Sequence, residues 1–287
     1  MEAKPLIVIL GPTASGKTSL AVKLAEKYGG EIICADSRTV YRGLDIGTAK
    51  PTDDERARVP HWGLDLVEPN EKYTAANFQK YATKKIDEIR SRGHIPFLVG
   101  GTGLYIDSVI FDYDFPMKAN DEQRALLEKM TLEKLYKYCI ENNIELPEND
   151  KNKRYIIRSV EKNGMKNSRK NEPLVNTFIV GITTDKDILR TRIAFRIEQL
   201  LNNGVVEEAK ENAEKYGWEH EAMKGNIYKL CQQYLNGQLT IDELKEKAIV
   251  ADWQLVKRQI TWFKRNVFIR WKSLQSAEQY IASLLAS

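Results

Sequence analysis

The sequence predicts an α/β protein built on a parallel β-sheet with helices on both faces. Three observations support this fold class. Short apolar runs of strand-forming residues alternate with helical stretches along most of the chain, which is typical of parallel sheets. A glycine-rich loop directly follows the first of these runs. The strand signal then stops between residues 112 and 173, where charged helical segments replace it.

Five short apolar runs, each flanked by turn residues, are predicted to be strands. Their ranges are 6–10, 31–35, 63–66, 96–99 and 177–182. Apolar periodicity and capping residues predict the helices, with Thr74 at the start of one helix and Gly93 and Gly204 after the ends of two. The predicted helices cover residues 15–28, 74–92, 121–130, 132–142, 149–163, 186–203, 206–216, 228–235 and 241–271.

The loss of the strand signal between residues 112 and 173 divides the chain into a core and an insertion. We expect residues 1–111 and 174–287 to form one α/β core with a helical C-terminal part, and residues 112–173 to form a small helical insertion. A chain of 287 residues with 42% hydrophobic content can bury a core of this size.

Composition argues against several classes of protein. No run approaches the ~18 consecutive apolar residues that a membrane span needs. The first predicted strand begins at Leu6, so we expect no signal peptide and a cytoplasmic protein that does not bind a membrane. Cys34, Cys139 and Cys231 are far apart and form no Cys-x-x-Cys pair, which argues against a disulfide framework or a zinc site.

The distribution of charge is more informative than its sum. The formal net charge of +4 is too small to indicate a polyanionic partner. Lys and Arg nevertheless cluster in residues 151–170 and 257–272, with aromatic residues or isoleucines between them. Cations bind a nucleic-acid backbone and flat side chains stack on exposed bases, so both clusters are candidate nucleic-acid surfaces. A solvated helix face explains the same pattern equally well.

Residues 11–18 read Gly-Pro-Thr-Ala-Ser-Gly-Lys-Thr and lie between the first strand and the first helix. This pattern predicts a phosphate-binding loop of the P-loop NTPase type. Its glycines let successive backbone N–H groups point at one phosphate, Lys17 adds a positive charge, and the helix dipole favours an anion. Thr18 can ligate Mg²⁺ through its hydroxyl. The ligand is therefore a di- or triphosphate, including nucleotides such as ATP, and the motif leaves open whether phosphate is transferred or leaves.

Two further loops follow predicted strands and should face the same crevice, because ligands collect at the carboxyl ends of parallel strands. Asp36 ends the second strand. It can hold Mg²⁺, accept a proton from a nucleophile or cap the next turn, and its position does not separate these roles. The loop Gly100-Gly101-Thr102-Gly103 follows the fourth strand. Its glycines allow either close approach of a substrate or a tight turn without substrate contact.

Four blocks of the chain together resemble the tRNA dimethylallyltransferases, which prenylate the N6 amine of the adenosine 3′-adjacent to the anticodon. They are residues 11–18, residues 36–51 (Asp-Ser-Arg-Thr-Val-Tyr-Arg-Gly-Leu-Asp-Ile-Gly-Thr-Ala-Lys-Pro), residues 99–105 (Val-Gly-Gly-Thr-Gly-Leu-Tyr) and residues 257–264 (Lys-Arg-Gln-Ile-Thr-Trp-Phe-Lys). The scattered cysteines cannot form the zinc finger of eukaryotic relatives, so the resemblance is to the bacterial type.

The resemblance implies transfer of a dimethylallyl group from dimethylallyl diphosphate to that amine, with diphosphate as the leaving group. It implies that Lys17 and a Mg²⁺ ion on Thr18 neutralise the departing diphosphate, and that Asp36 takes the proton from the amine. The adenosine would have to be flipped out of the anticodon loop. Residues assigned to diphosphate or nucleotide binding are Gly11, Pro12, Thr13, Ala14, Ser15, Gly16, Lys17, Thr18, Arg192 and Arg196.

The resemblance also implies an RNA-binding surface for a tRNA anticodon stem-loop, to which the insertion contributes. We expect the protein to act as a monomer. Residues assigned to tRNA contact are Asp36, Ser37, Arg38, Thr39, Thr102, Arg124, Lys257, Arg258, Gln259, Thr261, Trp262 and Lys264.

Three alternatives stay open at this point. A small-molecule or nucleotide kinase shares the loop and the sheet. A prenyltransferase acting on free adenine nucleotides needs the same catalytic residues without the RNA-binding helices. A non-catalytic RNA-binding protein would use the phosphate loop for regulation, which Asp36 beside an intact loop disfavours.

Overall fold

The computed structural model describes residues 3–115, 121–162 and 168–286. The chain forms two compact units. The larger comprises Met1–Asp112 and Glu172–Ser287, and the smaller comprises Tyr113–Asn171. The insertion expected from the sequence, residues 112–173, differs from the smaller unit by one residue at its start and two at its end.

Six strands of the described residues form one parallel sheet in the larger unit, in the order β3-β2-β4-β1-β5-β6. The strands are β1 Leu6–Leu10, β2 Gly30–Ala35, β3 His61–Trp62, β4 Ile95–Gly100, β5 Thr177–Ile182 and β6 Arg270–Lys272. Both faces of the central strands are buried, which explains their continuous apolar sequence. The predicted fold class is confirmed.

The helices lie between and after these strands. Their bounds are α1 Lys17–Tyr28, α2 Asp53–Arg58, α3 Ala75–Ser91, α4 Gly103–Ile110, α5 Asp121–Lys129, α6 Leu132–Glu141, α7 Lys153–Glu161, α8 Lys186–Asn202, α9 Val205–Tyr216, α10 Asn226–Leu235, α11 Ile241–Phe263 and α12 Leu274–Ala286. No helix among these described residues is both long and apolar enough to cross a membrane.

Apolar side chains cover both faces of the sheet. On one face, α1 and α12 pack over alternate residues of the central strands, including Ile7 and Ile9. Since side chains alternate along a strand, the neighbouring residues supply the other face, where α3 and α4 pack. Phe78 of α3 stacks on Tyr105 of α4 with ring centroids 4.3 Å apart.

The smaller unit is helical and has a core of its own. Helices α5, α6 and α7 form it, with Asn152 capping the start of α7 through the backbone N–H of Arg154. The predicted helix 149–163 therefore begins later than expected, and its last residue lies outside the described residues. Buried apolar residues of this unit are Leu127, Leu135, Cys139, Ile144, Ile156, Ile157 and Val160.

Two sequence predictions for the larger unit are wrong. The third strand occupies His61–Trp62 instead of residues 63–66, because Gly63 has a φ of 84° and turns the chain out of the sheet. The predicted helix 241–271 ends at Phe263, and β6 and α12 follow it. Strand β6 is charged and lies at the edge of the sheet, where apolar alternation is not required.

The three cysteines are buried free thiols. Burial raises the pKa of Cys34 and of Cys231 to about 12, so both stay neutral thiols at physiological pH.

Glu31 is a buried carboxylate in β2 with several donors. Its side chain is 3% exposed and accepts hydrogen bonds from Arg92 at 2.8 and 3.0 Å, from His94 Nδ1 at 2.7 Å and from Trp62 Nε1 at 2.6 Å. Burial opposes its charge, but the bonds from Arg92, His94 and Trp62 outweigh burial and hold the pKa of Glu31 below its usual value. The carboxylate therefore stabilises the fold in its ionised form.

We expect Glu31→Gln to lower the free energy of unfolding at pH 7 by about 1–3 kcal/mol, because three side-chain donors, one of them a guanidinium, lose a buried charged acceptor. A depressed folded-state pKa gives stability above the unfolded pKa, and that stability is lost as the pH falls through the folded-state value. The difference in melting temperature between wild type and variant should therefore shrink from about pH 6 to pH 3. Thermal denaturation across this range measures it.

The matched control is Glu26→Gln, which removes an exposed carboxylate bonded to Arg58. Exposed ion pairs contribute little, so the control should lose less stability at pH 7. A destabilisation by Glu31→Gln that stays constant between pH 6 and pH 3 would contradict the role given to this carboxylate.

Candidate active site

Three loops meet at the carboxyl edge of the sheet, after β1, β2 and β4. These strands are neighbours in the sheet, so the loops that follow them lie side by side. The backbone N–H of Thr102 donates to the carbonyl of Ala35 at 3.2 Å. The backbone N–H of Ser37 donates to the hydroxyl of Thr102 at 3.0 Å. The loops after β2 and β4 thus form one hydrogen-bonded surface.

The phosphate loop after β1 has the backbone geometry of an anion-binding concavity. Ala14 and Gly16 have positive φ values of 64° and 87°, a conformation that turns successive N–H groups to one side. Gly16 precedes α1, whose N-terminus adds positive potential. The hydroxyl of Ser15 is buried and has no hydrogen-bond partner among the described residues. A buried hydroxyl of this kind fits a polar ligand in the loop.

Lys17 is the first residue of α1 and its ammonium lies inside the loop. Its Nζ donates to the carbonyl of Pro12 at 3.2 Å. Burial lowers the pKa of Lys17 to about 8, Asp36 opposes the change, and Arg196 adds to it. The site therefore brings together one carboxylate and two cations, and an anion bound here would stabilise the charged lysine.

Helix α8 contributes two arginines next to the loop. Arg192 Nη1 donates to the carbonyl of Ala14 at 3.4 Å. Arg196 Nη1 lies 3.7 Å from Asp252 Oδ2, while its Nε is buried without a partner among the described residues. Burial raises the pKa of Asp252 although Arg196 opposes it. Both arginines lie where the resemblance places them, and diphosphate binding by them stays a prediction.

A cavity of about 230 Å³ opens beside these groups. One part of its lining is polar and the other is aliphatic. The polar part includes Asp36, Thr102, Arg196, Asp252, Arg258 and Gln259, and the aliphatic part includes Ile197, Leu200, Ile227 and Leu255.

Asp36 lines this cavity and also caps the turn that follows β2. Its Oδ1 accepts a hydrogen bond from the backbone N–H of Arg38 at 2.8 Å. The turn-capping role considered from the sequence is therefore present, and it orients the carboxylate without excluding a catalytic role. Arg38 lines the cavity too, and its Nη1 donates to the carbonyl of Glu221 at 2.6 Å.

One wall of the cavity depends on Glu208 of α9, which sequence reasoning missed. Its Oε2 accepts from the backbone N–H groups of Asp45 and Ile46, both at 2.7 Å. Its Oε1 accepts from the backbone N–H of Gly47 at 2.9 Å and from the hydroxyl of Tyr228 at 2.7 Å. A Cβ on Gly47 would lie 2.6 Å from the Tyr228 ring. No local pattern could have found this carboxylate, because its three backbone partners lie 161 to 163 residues away along the chain and Tyr228 lies 20 residues away.

The predicted RNA contacts of α11 divide between two faces of the helix. Lys257, Arg258, Thr261 and Lys264 are exposed. Gln259 and Trp262 instead use their polar groups inside the protein. Trp262 Nε1 donates to Asp107 at 2.7 Å, and both ends of the Gln259 amide are hydrogen-bonded to protein backbone.

The direction of these two side chains follows from helical spacing. The buried face of α11 runs through Asp252, Val256, Gln259 and Phe263, at intervals of three and four residues. Ile260, which follows Gln259, is only half-buried. The amide of Gln259 and the indole N–H of Trp262 are therefore not available to RNA in this arrangement.

Two other predicted RNA contacts have partners inside the protein. Thr39 is 5% exposed, and its hydroxyl donates to the carbonyl of Asp36 at 3.4 Å. In the smaller unit, Arg124 donates to Glu128 and to Glu161, each at 3.0 Å. Burial argues against direct RNA contact by Thr39, whereas Arg124 is half-exposed and its contact stays a prediction. The basic cluster at 151–170 includes residues outside the described part of the chain.

The residues at the phosphate loop fit a magnesium ion that arrives with a diphosphate. No group of three or more His, Cys, Asp or Glu side chains in the described residues could hold a metal by itself. Mg²⁺ does not require such a group, because it is usually held by few protein oxygens together with substrate phosphates and water. Thr18 is half-exposed at the start of α1, and the hydroxyl of Ser15 has no partner within the described part of the chain, so hydroxyl oxygens are present at the loop.

Fold and site together define a P-loop-like α/β protein with a glycine-rich loop of the phosphate-binding type next to a cavity lined by both polar and aliphatic residues. Comparison with known proteins places the chain more narrowly. The family model described as IPP transferase matches residues 39–266, and the model described as isopentenyl transferase matches residues 4–61. The chain belongs to the IPP transferase family.

Individual relatives agree with this membership. A tRNA dimethylallyltransferase of Acetivibrio thermocellus is 38% identical over 283 residues, covering 93% of this chain and 90% of that protein. The crystal structure of the full-length tRNA isopentenylpyrophosphate transferase of Bacillus halodurans is similar with a TM-score of 0.75 at 33% identity, over 99% of this chain and 97% of the other. The crystal structure of the tRNA delta(2)-isopentenylpyrophosphate transferase of Staphylococcus epidermidis is similar with a TM-score of 0.73 at 29% identity, over 99% of each chain.

We expect Glu208→Gln to lower the free energy of unfolding by about 1–3 kcal/mol. The amide NH₂ replaces one carboxylate oxygen and meets N–H or O–H donors, so at least one buried donor loses its acceptor. Urea denaturation measures the change. The control is Glu207→Gln on the exposed side of the same helix, which should stay within about 0.5 kcal/mol of wild type. Equal stability of the two variants would show that Glu208 does not hold the cavity wall.

Proposed function

We propose that this chain transfers a dimethylallyl group from dimethylallyl diphosphate to the N6 amine of the adenosine 3′-adjacent to the anticodon of a tRNA, and releases diphosphate. One observation carries the proposal: the carboxylate of Asp36 lies within electrostatic range of Lys17 in the phosphate loop, and it lines a cavity together with Thr13 of the same loop. Relatives named tRNA dimethylallyltransferase that cover nearly all of this chain support it.

The phosphate loop would act on the leaving group. As the allylic C–O bond breaks, negative charge develops on the diphosphate, and fixed positive groups stabilise that charge. Lys17, Arg192 and Arg196 supply cations around the loop, and Ser15 supplies a hydroxyl that no described residue binds. Mg²⁺, when held by the hydroxyl of Thr18 and diphosphate oxygens, would add positive charge to the same leaving group.

Asp36 would act on the acceptor. The N6 amine attacks the allylic carbon, a C–N bond forms while the C–O bond breaks, and Asp36 takes the proton that the amine loses. The bond from the backbone N–H of Arg38 fixes one carboxylate oxygen and so orients the other. The aliphatic residues of the cavity lining would suit the prenyl chain and would help to keep water from an allylic carbon with cationic character.

The nucleic acid would bind through exposed cations near the cavity. Lys257, Arg258 and Lys264 stand on the exposed side of α11 and would contact phosphates, which position an RNA without reading its sequence. An adenosine flipped from the anticodon loop would then reach Asp36. We assign the smaller unit to further tRNA contact, and we expect a cytoplasmic monomer.

Replacing the carboxylate tests the chemistry. We expect Asp36→Asn to reduce the single-turnover rate by roughly two to four orders of magnitude, the usual contribution of a general base, with RNA affinity nearly unchanged. The asparagine oxygen can still accept the bond from the Arg38 N–H, so the turn persists. The assay uses labelled dimethylallyl diphosphate, Mg²⁺ and an anticodon stem-loop with consecutive adenosines.

The control for this assay is Asp54→Asn, an exposed carboxylate on α2, which should prenylate at the wild-type rate. A wild-type rate for Asp36→Asn would contradict the role of base. Wild-type protein that prenylates AMP and leaves the stem-loop unmodified would instead indicate a free-nucleotide substrate. Transfer of labelled γ-phosphate from ATP to an acceptor would indicate a kinase.

Removing single cations tests the RNA surface. Lys257→Ala and Lys264→Ala should each weaken stem-loop binding and reduce the slope of log affinity against log salt concentration by about 1. Fluorescence anisotropy at several salt concentrations measures both. Lys247→Ala, an exposed lysine near the start of the same helix, is the control and should leave the slope unchanged. If all three variants kept the wild-type slope of log affinity against log salt concentration, this result would argue against RNA binding on this face of α11.

A further inference from the structure

Gln259 joins the two loops that serve opposite ends of the proposed reaction. Its Oε1 accepts from the backbone N–H of Thr13 in the phosphate loop at 2.9 Å. Its Nε2 donates to the carbonyl of Gly101 in the loop after β4 at 3.1 Å. Both bonds are buried, and Gln259 itself is 9% exposed. One amide thus sets the distance between the two loops.

The surroundings of this amide leave it little freedom. A Cβ on Gly101 would collide with Nε2 of Gln259, and it would lie 3.4 Å from the carbonyl of Gly11. Glycine is therefore required at this position for the loops to approach the amide closely.

Hydrogen bonds extend the connection to the carboxylate. Thr102, next to Gly101, accepts from the backbone N–H of Ser37, and Ser37 directly follows Asp36. A continuous path therefore runs from the phosphate loop through Gln259 to the residue that would take the proton.

The same helix faces both the loops and the solvent. Lys257 and Arg258 precede Gln259 in the sequence and are exposed, whereas Gln259 points inward. A ligand on the outer face of α11 therefore acts on the helical turn that carries the bridge.

We propose that Gln259 is a positioning residue that holds the phosphate loop and the loop after β4 at the distance needed for transfer. Through the same two hydrogen bonds, it couples RNA binding on α11 to diphosphate binding at the phosphate loop. The inference rests on the proposed function. It replaces the direct RNA contact predicted for this residue from the sequence.

Gln259→Glu tests the bridge because it changes one atom. In Gln259→Glu, the carboxylate oxygen that takes the place of Nε2 cannot donate a hydrogen bond to the carbonyl of Gly101 and is repelled by it. A protonated carboxyl can donate there again while its other oxygen accepts from Thr13. We therefore expect the variant to recover as the pH falls. Gln259→Met removes both bonds without adding charge and should show no recovery.

The first measurement is the single-turnover rate of folded protein with saturating donor and stem-loop. At pH 8 we expect both variants to be slower than wild type by roughly 10- to 100-fold, since small misplacements of reacting groups cost about this much. The ratio of variant to wild-type rate should rise toward low pH only for Gln259→Glu. The charged groups near the bridge, which include Lys17, Asp36, Arg196 and Asp252, are the same in both proteins, so the ratio removes their contribution.

The second measurement is the affinity for inorganic pyrophosphate with Mg²⁺, in the presence and absence of stem-loop. Wild type should bind pyrophosphate about fivefold or more tightly with RNA present, a typical coupling. In the Gln259 variants, each ligand alone should bind within about threefold of wild type, and the coupling should disappear. Loss of RNA affinity without pyrophosphate would instead support a direct RNA contact and overturn the inference.

Gln233→Glu, which adds the same charge to an exposed position of α10, is the control and should keep the wild-type rate and coupling. Gln259→Glu and Gln259→Met variants that fold and match wild type in rate and coupling would overturn the inference while the proposed function stands. A wild-type protein that leaves the stem-loop unmodified would overturn the proposed function, and the inference with it.

Discussion

The site is organised around three cations at the phosphate loop, Lys17, Arg192 and Arg196, whose charge Asp36 and Asp252 balance only in part. The left-handed residues Ala14 and Gly16 turn the backbone of the phosphate loop into a concavity, and Lys17 is buried beside it with a pKa lowered to about 8. Two arginines of α8 lie against the same loop, and one has a buried nitrogen without a partner in the described residues. Cations held close together repel one another, and an anion bound at the loop would reduce that repulsion.

The loops around this charge are held by residues from the helical second half of the chain. Glu208 binds four donors, three of them in the loop that contains Gly47, and Gln259 ties the phosphate loop to the loop after β4. Loops alone are mobile because their backbone groups lack regular partners. Side chains on helices hold such groups more precisely, so the cavity is defined by α9, α10 and α11 as much as by the sheet.

A shared loop does not imply a shared reaction. In kinases and GTPases such a loop stabilises a phosphoryl group during transfer, whereas here a carboxylate and an aliphatic surface adjoin it. The aliphatic lining of Ile197, Leu200, Ile227 and Leu255 suits an allylic carbon, and Asp36 suits the removal of a proton from an amine. The function is therefore set by what surrounds the loop.

The sequence by itself determined the features that depend on neighbouring residues. The phosphate loop, the strands β1 and β5, the cap at Thr74 and the parallel α/β class all follow from local spacing, because turns, caps and apolar runs are decided within a few residues. Tertiary structure alone decided β6, the bonds of Glu208 and the inward direction of Gln259 and Trp262. Each of these depends on a partner about 90 or more residues away, and a pattern along the chain carries no information about which distant groups will become neighbours.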